Sequence, residues 1–176
     1  MIIMAGIRPA RCYRRIHRPY TRISVTKPRK SYVKGVAKPK IQQYQTREFR
    51  AEDYSEKFYL VSEDHIQIRE NALESARMVV VRNMEKGVGK SGFFFKLRVY
   101  PHHVMRENPL ATGAGADRFQ QGMRQSFGKP IGMTAQVKTG QRILEVRVTK
   151  AHTGVARKAL NAARYKLPAK CKIIVA

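Results

Sequence analysis

Acid is scarce in this chain. Twelve Asp and Glu stand against 36 Lys and Arg, a formal net charge of +24 over 176 residues. A chain so charged repels itself, and its compact state calls for counterions or a polyanion. Nucleic acid is the usual polyanion, because Lys and Arg bind its phosphates with release of condensed counterions. An anionic membrane surface is the competing partner. Long apolar runs are missing too: no stretch reaches the roughly 18 apolar residues of a membrane span. Met1-Ile2-Ile3-Met4 is too short for a signal-peptide core and no small-residue cleavage site follows it. Cysteine is nearly absent. Cys12 and Cys171 make no disulfide framework, which fits a reducing, cytoplasmic compartment.

The scarce acid is also unevenly placed. The first fifty residues hold fourteen Lys and Arg and one acid, Glu48. Residues 51–76 reverse this, with Glu52, Asp53, Glu56, Glu63, Asp64, Glu70 and Glu74 against Lys57 and Arg69; from 77 onward the chain is again strongly basic. The acidic block reads either as a face turned away from the polyanion or as an ordinary solvated approach to a helix.

Residues 1–46 read as an extended arm. Pro9, Pro19, Pro28 and Pro39 block long helices, and Tyr13, Tyr20, Tyr32 and Tyr44 alternate with the cations. Cations for phosphates and aromatic faces for bases or sugars suit an arm embedded in RNA. The plainer alternative is a flexible basic tail packing on its own domain.

Residues 47–176 read as one α+β domain with a mostly antiparallel sheet, since strands and helices mix without βαβ alternation. The expected elements are a strand at 57–61 and a helix at about 70–86, opened by an Asn71/Glu74 capping box and stopped at Gly87. A strand at 93–100 and a long functional loop at 101–117 come after it. Next are a short helix at 118–126 and strands near 132–138 and 142–149, joined as a hairpin at Thr139-Gly140. A helix at about 153–165 and a closing strand at 171–175 complete the domain.

Catalytic and cofactor motifs fail one by one. Gly89-Lys90-Ser91 is no phosphate-binding P-loop: Met84 stands where the first glycine belongs, and the element order is helix, loop, strand. Arg118 replaces the third glycine of a dinucleotide fingerprint begun by Gly113 and Gly115. Lys90 to Leu97 only faintly matches the aromatic strand of an RNA-recognition motif. His102 and His103 are adjacent with no Cys at ligand spacing, so no zinc site is expected. Glu85, Glu107, Asp117 and Glu145 include no close acid–base pair. The expectation is no enzyme, no cofactor and no metal. An RNA-modifying enzyme with a basic groove is the rival class, and it lacks its catalytic group here.

Several blocks carry a resemblance. Arg8-Pro-Ala-Arg-Cys-Tyr-Arg14 with Arg18-Pro-Tyr20, Ala72-Leu-Glu-Ser-Ala-Arg77 and Arg98-Val-Tyr-Pro-His-His-Val104 come in order. They are succeeded by Gly115-Ala-Asp-Arg118, Gly122-Met-Arg124, Phe127-Gly-Lys-Pro130 and Ala162-Ala-Arg-Tyr-Lys-Leu-Pro168. Together they are similar to the large-subunit ribosomal protein sixteen family, in its archaeal form called ten-e. The end at Ala176, without the extension of eukaryotic members, fits the archaeal form. The resemblance implies a hammerhead-like α/β sandwich with no catalytic residues, present once per ribosome. It implies binding to large-subunit rRNA beneath the central protuberance, beside neighbouring ribosomal proteins and near the aminoacyl-site tRNA. The long loop would reach toward the tRNA acceptor arms.

The site residues fall into two groups. For rRNA they are Arg8, Arg11, Arg14, Arg15, Arg18, Arg22, Lys27, Arg29, Lys30, Lys34, Lys38 and Lys40 of the arm, with Arg124, Lys129 and Arg142 of the domain. For the tRNA-facing loop they are His102, His103, Arg106, Asn108, Gly113, Gly115 and Arg118. No membrane partner is expected. The arm, having no sustained hydrophobic period, is expected to be ordered only by RNA.

Overall fold

The computed structural model describes residues 8–16, 22–24, 26–33, 39–46, 54–110, 115, 118 and 121–175. Its regular elements in chain order are β1 (Glu56–Ser62), β2 (Ile66–Arg69), α1 (Glu70–Val88), β3 (Phe93–Leu97), β4 (His103–Glu107), β5 (Lys129–Val137), β6 (Arg142–Val148), α2 (Thr153–Arg164) and β7 (Cys171–Val175). They build the expected α+β fold, with two antiparallel sheets: a four-stranded one ordered β3-β6-β1-β7 and a three-stranded one ordered β2-β5-β4.

Strand alternation and helical period meet in one core. Phe95, Val146 and Phe58 stand in register across three strands, as do Leu97, Leu144 and Leu60. They bury against Leu73, Ala76, Val80 and Met84 of α1 and Ala156, Ala159, Leu160 and Ala163 of α2. Each large side chain so buried stabilises the fold by about 1.5–3 kcal/mol. Ile66, Ile68, Ala135 and Val137 extend this core into the second sheet. Cys171 lies in it too, and burial pushes its thiol up to about 11.

Local punctuation differs from the sequence reading. No side chain caps α1, whose N-cap is Arg69; Glu74 instead holds the Arg77 guanidinium at 2.6 and 2.9 Å. Gly87 lies inside the helix, where a Cβ would come 2.5 Å from Val155 Cγ1, so its role is to let α2 approach. The stop is Gly89, at φ 87°, whose N–H donates to the Glu85 carbonyl.

Topology brings further corrections. Residues 103–107 of the expected loop are strand β4, paired with β5. β2 has no counterpart among the expected elements. The turn at Thr139-Gly140 does not close a hairpin: β5 and β6 belong to different sheets, and residues 138–141 carry the chain between them. That passage is tied to the β1–β2 passage, Ser62 N–H donating to the Gln141 carbonyl at 3.0 Å and Gly140 N–H to the Ser62 carbonyl at 2.8 Å. The helix expected at 118–126 is a short 3-10 turn, Gly122–Gln125.

The described parts of the arm make hydrogen bonds and core contacts with both sheets. Leu97 N–H donates to the Tyr44 carbonyl at 2.7 Å and Thr46 N–H to the Phe95 carbonyl at 3.1 Å, so residues 44–46 cover the β3 edge. Ile41 is buried in the main core, and Val33 makes a satellite core with Val104 and Met133. Gln67 N–H donates to the Arg14 carbonyl at 2.9 Å, which covers the β2 edge. An open strand edge is a template for stray pairing, and these segments occupy two of them.

Candidate nucleic-acid interface

At Arg14 and Arg15 the arm is held by its backbone and presents its side chains. The carbonyl of Arg14 is bonded by the Gln67 N–H, and that of Arg15 by Gln67 Nε2. Gln67 is buried, with its Oε1 accepting from the Thr134 hydroxyl at 3.0 Å. Arg69 Nη1 donates to the Arg8 carbonyl at 2.6 Å and its guanidinium lies 6.0 Å from the Tyr13 ring. Arg11, Arg14 and Arg15 remain exposed. Further along, Arg22 takes a left-handed backbone, φ 57°, and its carbonyl accepts from the N–H of Tyr32 at 3.0 Å. Lys27, Arg29 and Lys30 are exposed around a 3-10 turn at Pro28–Lys30. Lys40 is exposed while its N–H donates to Glu70 Oε2 at 3.0 Å. Arg8 departs from the set, since its guanidinium is paired with Glu107. Arg18, Lys34 and Lys38 lie outside the described residues.

The domain's three named cations are not one cluster. Arg124 and Lys129 line an open cleft of 780 Å³ together with Asn108, Gln125 and Phe127. Arg142 lies elsewhere, on the four-stranded sheet, 4.2 Å above the Tyr59 ring.

The loop residues divide in the same way. His102 is exposed, its ring 4.5 Å from that of Tyr100, which stacks on Tyr44 at 5.3 Å. His103 is buried in β4 with Nδ1 3.1 Å from Gln136 Nε2, so it is a sheet residue and not a loop contact. Arg106 is half-buried over the Phe127 ring at 4.3 Å, and burial with the Arg22 charge lowers its pKa. Phe127 meets Tyr32 at 5.5 Å, and Arg22 lies 5.5 Å from Tyr32. Two cations and two rings thus join the arm to the segment after β4. Asn108 Nδ2 donates to the Gln125 carbonyl at 3.4 Å. Gly115 has φ 80°, and its carbonyl accepts from the N–H of the exposed Arg118 at 3.2 Å. Gly113 lies outside the described residues.

The acidic block is partly used inside the protein. Glu70 is buried on Lys40, Glu74 is paired with Arg77, and Asp64 Oδ2 accepts from the Lys170 N–H at 2.9 Å. Glu63 is exposed, and Glu52 and Asp53 lie outside the described residues. Sequence reasoning misses Lys57, Lys96, Arg147 and Lys172, which cross-strand register gathers around Glu145 on one sheet face. Among the described residues no His, Cys, Asp and Glu cluster suits a metal ion, and no helix is long and apolar enough to cross a membrane.

Residues 20–174 match the family model described as ribosomal protein L16p/L10e. Three relatives, each called large ribosomal subunit protein uL16, are similar over nearly their whole length. That of Methanococcus aeolicus is 44% identical over 171 residues, covering 97% of this chain and 94% of the relative. That of Archaeoglobus fulgidus is 41% identical, covering 96% and 92%. That of Staphylothermus marinus is 45% identical, covering 96% and 92%.

Proposed function

The chain belongs to the ribosomal protein L16p/L10e family, and on that premise we propose that it is a structural, non-catalytic constituent of the large subunit of the cytoplasmic ribosome. Its arm cations hold large-subunit rRNA. The part of the 101–117 loop beyond β4, residues 108–117 with Arg118 at its exit, faces tRNA near the aminoacyl site, and neighbouring ribosomal proteins complete its surroundings, one copy per ribosome. The observation that carries the rRNA reading is the arm's mode of attachment. Its carbonyls at Arg8, Arg14 and Arg15 are spent on the domain, while the guanidiniums of Arg11, Arg14 and Arg15 stay exposed. A backbone fixed in this way lowers the ordering entropy still to be given up when RNA binds, about 1–2 kcal/mol per residue already immobilised. Contacts of this type go to phosphate and sugar and fix register more than sequence.

The tRNA reading is supported by the composition of the segment beyond β4. Glycine at 113 and 115 permits close backbone approach, and Arg118, together with His102 before the strand, is exposed for a partner that enters and leaves. Deleting 108–115 tests it. The expected result is a protein that still sediments stoichiometrically with the large subunit, on ribosomes that bind aminoacyl-site tRNA more weakly. Wild-type tRNA binding by those ribosomes would refute the tRNA role, and failure to enter the subunit would make the segment structural.

A further inference from the structure

The four-stranded sheet has two unlike faces. One carries the core onto α1 and α2. The other carries, in cross-strand rows, Phe94, Arg147 and Lys57, then Lys96, Glu145, Tyr59 and Ile174, then Val61 and Lys172. A register break adds to it. Between Leu60/Leu144 and Val61/Arg142 the pairing skips Ile143, so Ile143 and Leu144 are both fully buried. Bulges re-aim the side chains beyond them, and here Arg142 is brought over the Tyr59 ring at 4.2 Å.

The carboxylate of Glu145 is the organising group. It is fully buried. Arg147 Nε and Nη2 both lie 2.5 Å from its Oε1, and Arg98 Nη1 lies 3.2 Å from its Oε2. One buried carboxylate therefore holds the Arg147 guanidinium by hydrogen bonding and pairs with Arg98 by charge, its Oε2 making no hydrogen bond among the described residues. Lys57, Lys96 and Lys172 have no carboxylate within ion-pair distance among the described residues. Of the large apolar groups of this face, Phe94 and Tyr59 are buried, with Arg147 and Arg142 over their rings, and Ile174 is 40% exposed. Ile174 alone is a small anchor for a membrane surface, whereas a line of phosphates finds five cations on the same face.

We infer that this outer sheet face is a second RNA surface, separate from the arm, on which Lys57, Lys96, Arg142, Arg147 and Lys172 bind the phosphate backbone. The inference rests on the rRNA function proposed for the chain and extends it to a face outside the arm. Four strands at about 4.8 Å spacing make a platform roughly 19 Å across. Duplex nucleic acid carries one charge per about 1.7 Å of axis, so several phosphates face the platform at once. Glu145 acts as a positioning residue and touches no phosphate itself.

The test measures the salt dependence of binding between the full-length protein and in-vitro transcribed large-subunit rRNA. It compares the wild type, the sheet variant Lys57→Ala/Lys96→Ala/Lys172→Ala and the arm variant Arg11→Ala/Arg14→Ala/Arg15→Ala. Thermal melts verify folding, and Lys57→Gln/Lys96→Gln/Lys172→Gln substitutes should the alanine variant melt early. The sheet variant is expected to reduce the log–log slope by about 0.7–0.9 for each phosphate it no longer neutralises. An unchanged slope in the sheet variant beside a reduced slope in the arm variant overturns this inference and leaves the rRNA function standing. Unchanged slopes in both overturn the rRNA function itself. Loss of a neighbouring protein from reconstituted subunits, with RNA binding intact, also overturns the inference and assigns the face to a protein.

Discussion

Two stretches of the arm cover sheet edges in the same way and do opposite things with their side chains. Residues 40–46 bond to β3 through the Tyr44 carbonyl and the Thr46 N–H, and they send Ile41 into the core and Tyr44 against it. Residues 8–16 bond to β2 through carbonyls alone and leave Arg11, Arg14 and Arg15 exposed. The first stretch is part of the fold. The second uses the fold as a mount for cations. Backbone carbonyls are common to all residues, so a segment can be docked by them while its side chains are reserved for a partner.

The contrast between the two stretches is largest in stability. Ile41→Ala removes a buried side chain and leaves a cavity, so it should destabilise the protein by about 2–4 kcal/mol in a denaturant melt, with the salt slope of rRNA binding unchanged. A melt within about 0.5 kcal/mol of wild type would place 40–46 with the mount instead. Gln67→Ala tests the clamp on the 8–16 stretch. It frees the Arg15 carbonyl and removes the nearer of the Thr134 hydroxyl's two acceptors, leaving the His103 carbonyl at 3.5 Å, an expected destabilisation of about 1–2 kcal/mol. An unaltered melt would mean that the Gln67 side chain does not hold the arm. Arg14→Ala with Arg15→Ala is the smallest stability change, within about 0.5 kcal/mol, yet should lower the salt slope by about 0.7–0.9 per phosphate. Equal slopes for variant and wild type would remove these two residues from the interface.

How much of this is legible in the sequence depends on how local each feature is. The stripe Leu73, Ala76, Val80, Met84 is a repeat within one helix and can be read directly. So can the Phe93–Leu97 alternation, although Phe94 is buried on the other face. β4 is hidden because His103-Val-Met-Arg-Glu107 neither alternates cleanly nor sits apart from prolines and glycines. β2 is hidden by its four-residue length and by Gln67, a polar residue buried because the arm needs it. Thr139-Gly140 is legible as a turn, but which sheet each flanking strand joins is decided by partners far away. The basic sheet face and the docking of Arg14 on Gln67 depend on pairings about 50 to 115 positions apart in the chain. Charge composition announces the polyanion; it does not say that the arm's carbonyls at Arg8, Arg14 and Arg15 bond to Arg69 and Gln67.

That attachment is the central claim, and amide hydrogen exchange on the RNA-free protein tests it directly. Exchange reports local opening. The account predicts slow exchange at Gln67, Leu97, Thr46 and Lys40, whose N–H groups are bonded across the arm–domain junction. Arg14 and Arg15 should exchange fast until the protein is in the subunit. Fast exchange at all six amides in the free protein would contradict it and return the arm to a tail ordered only by RNA.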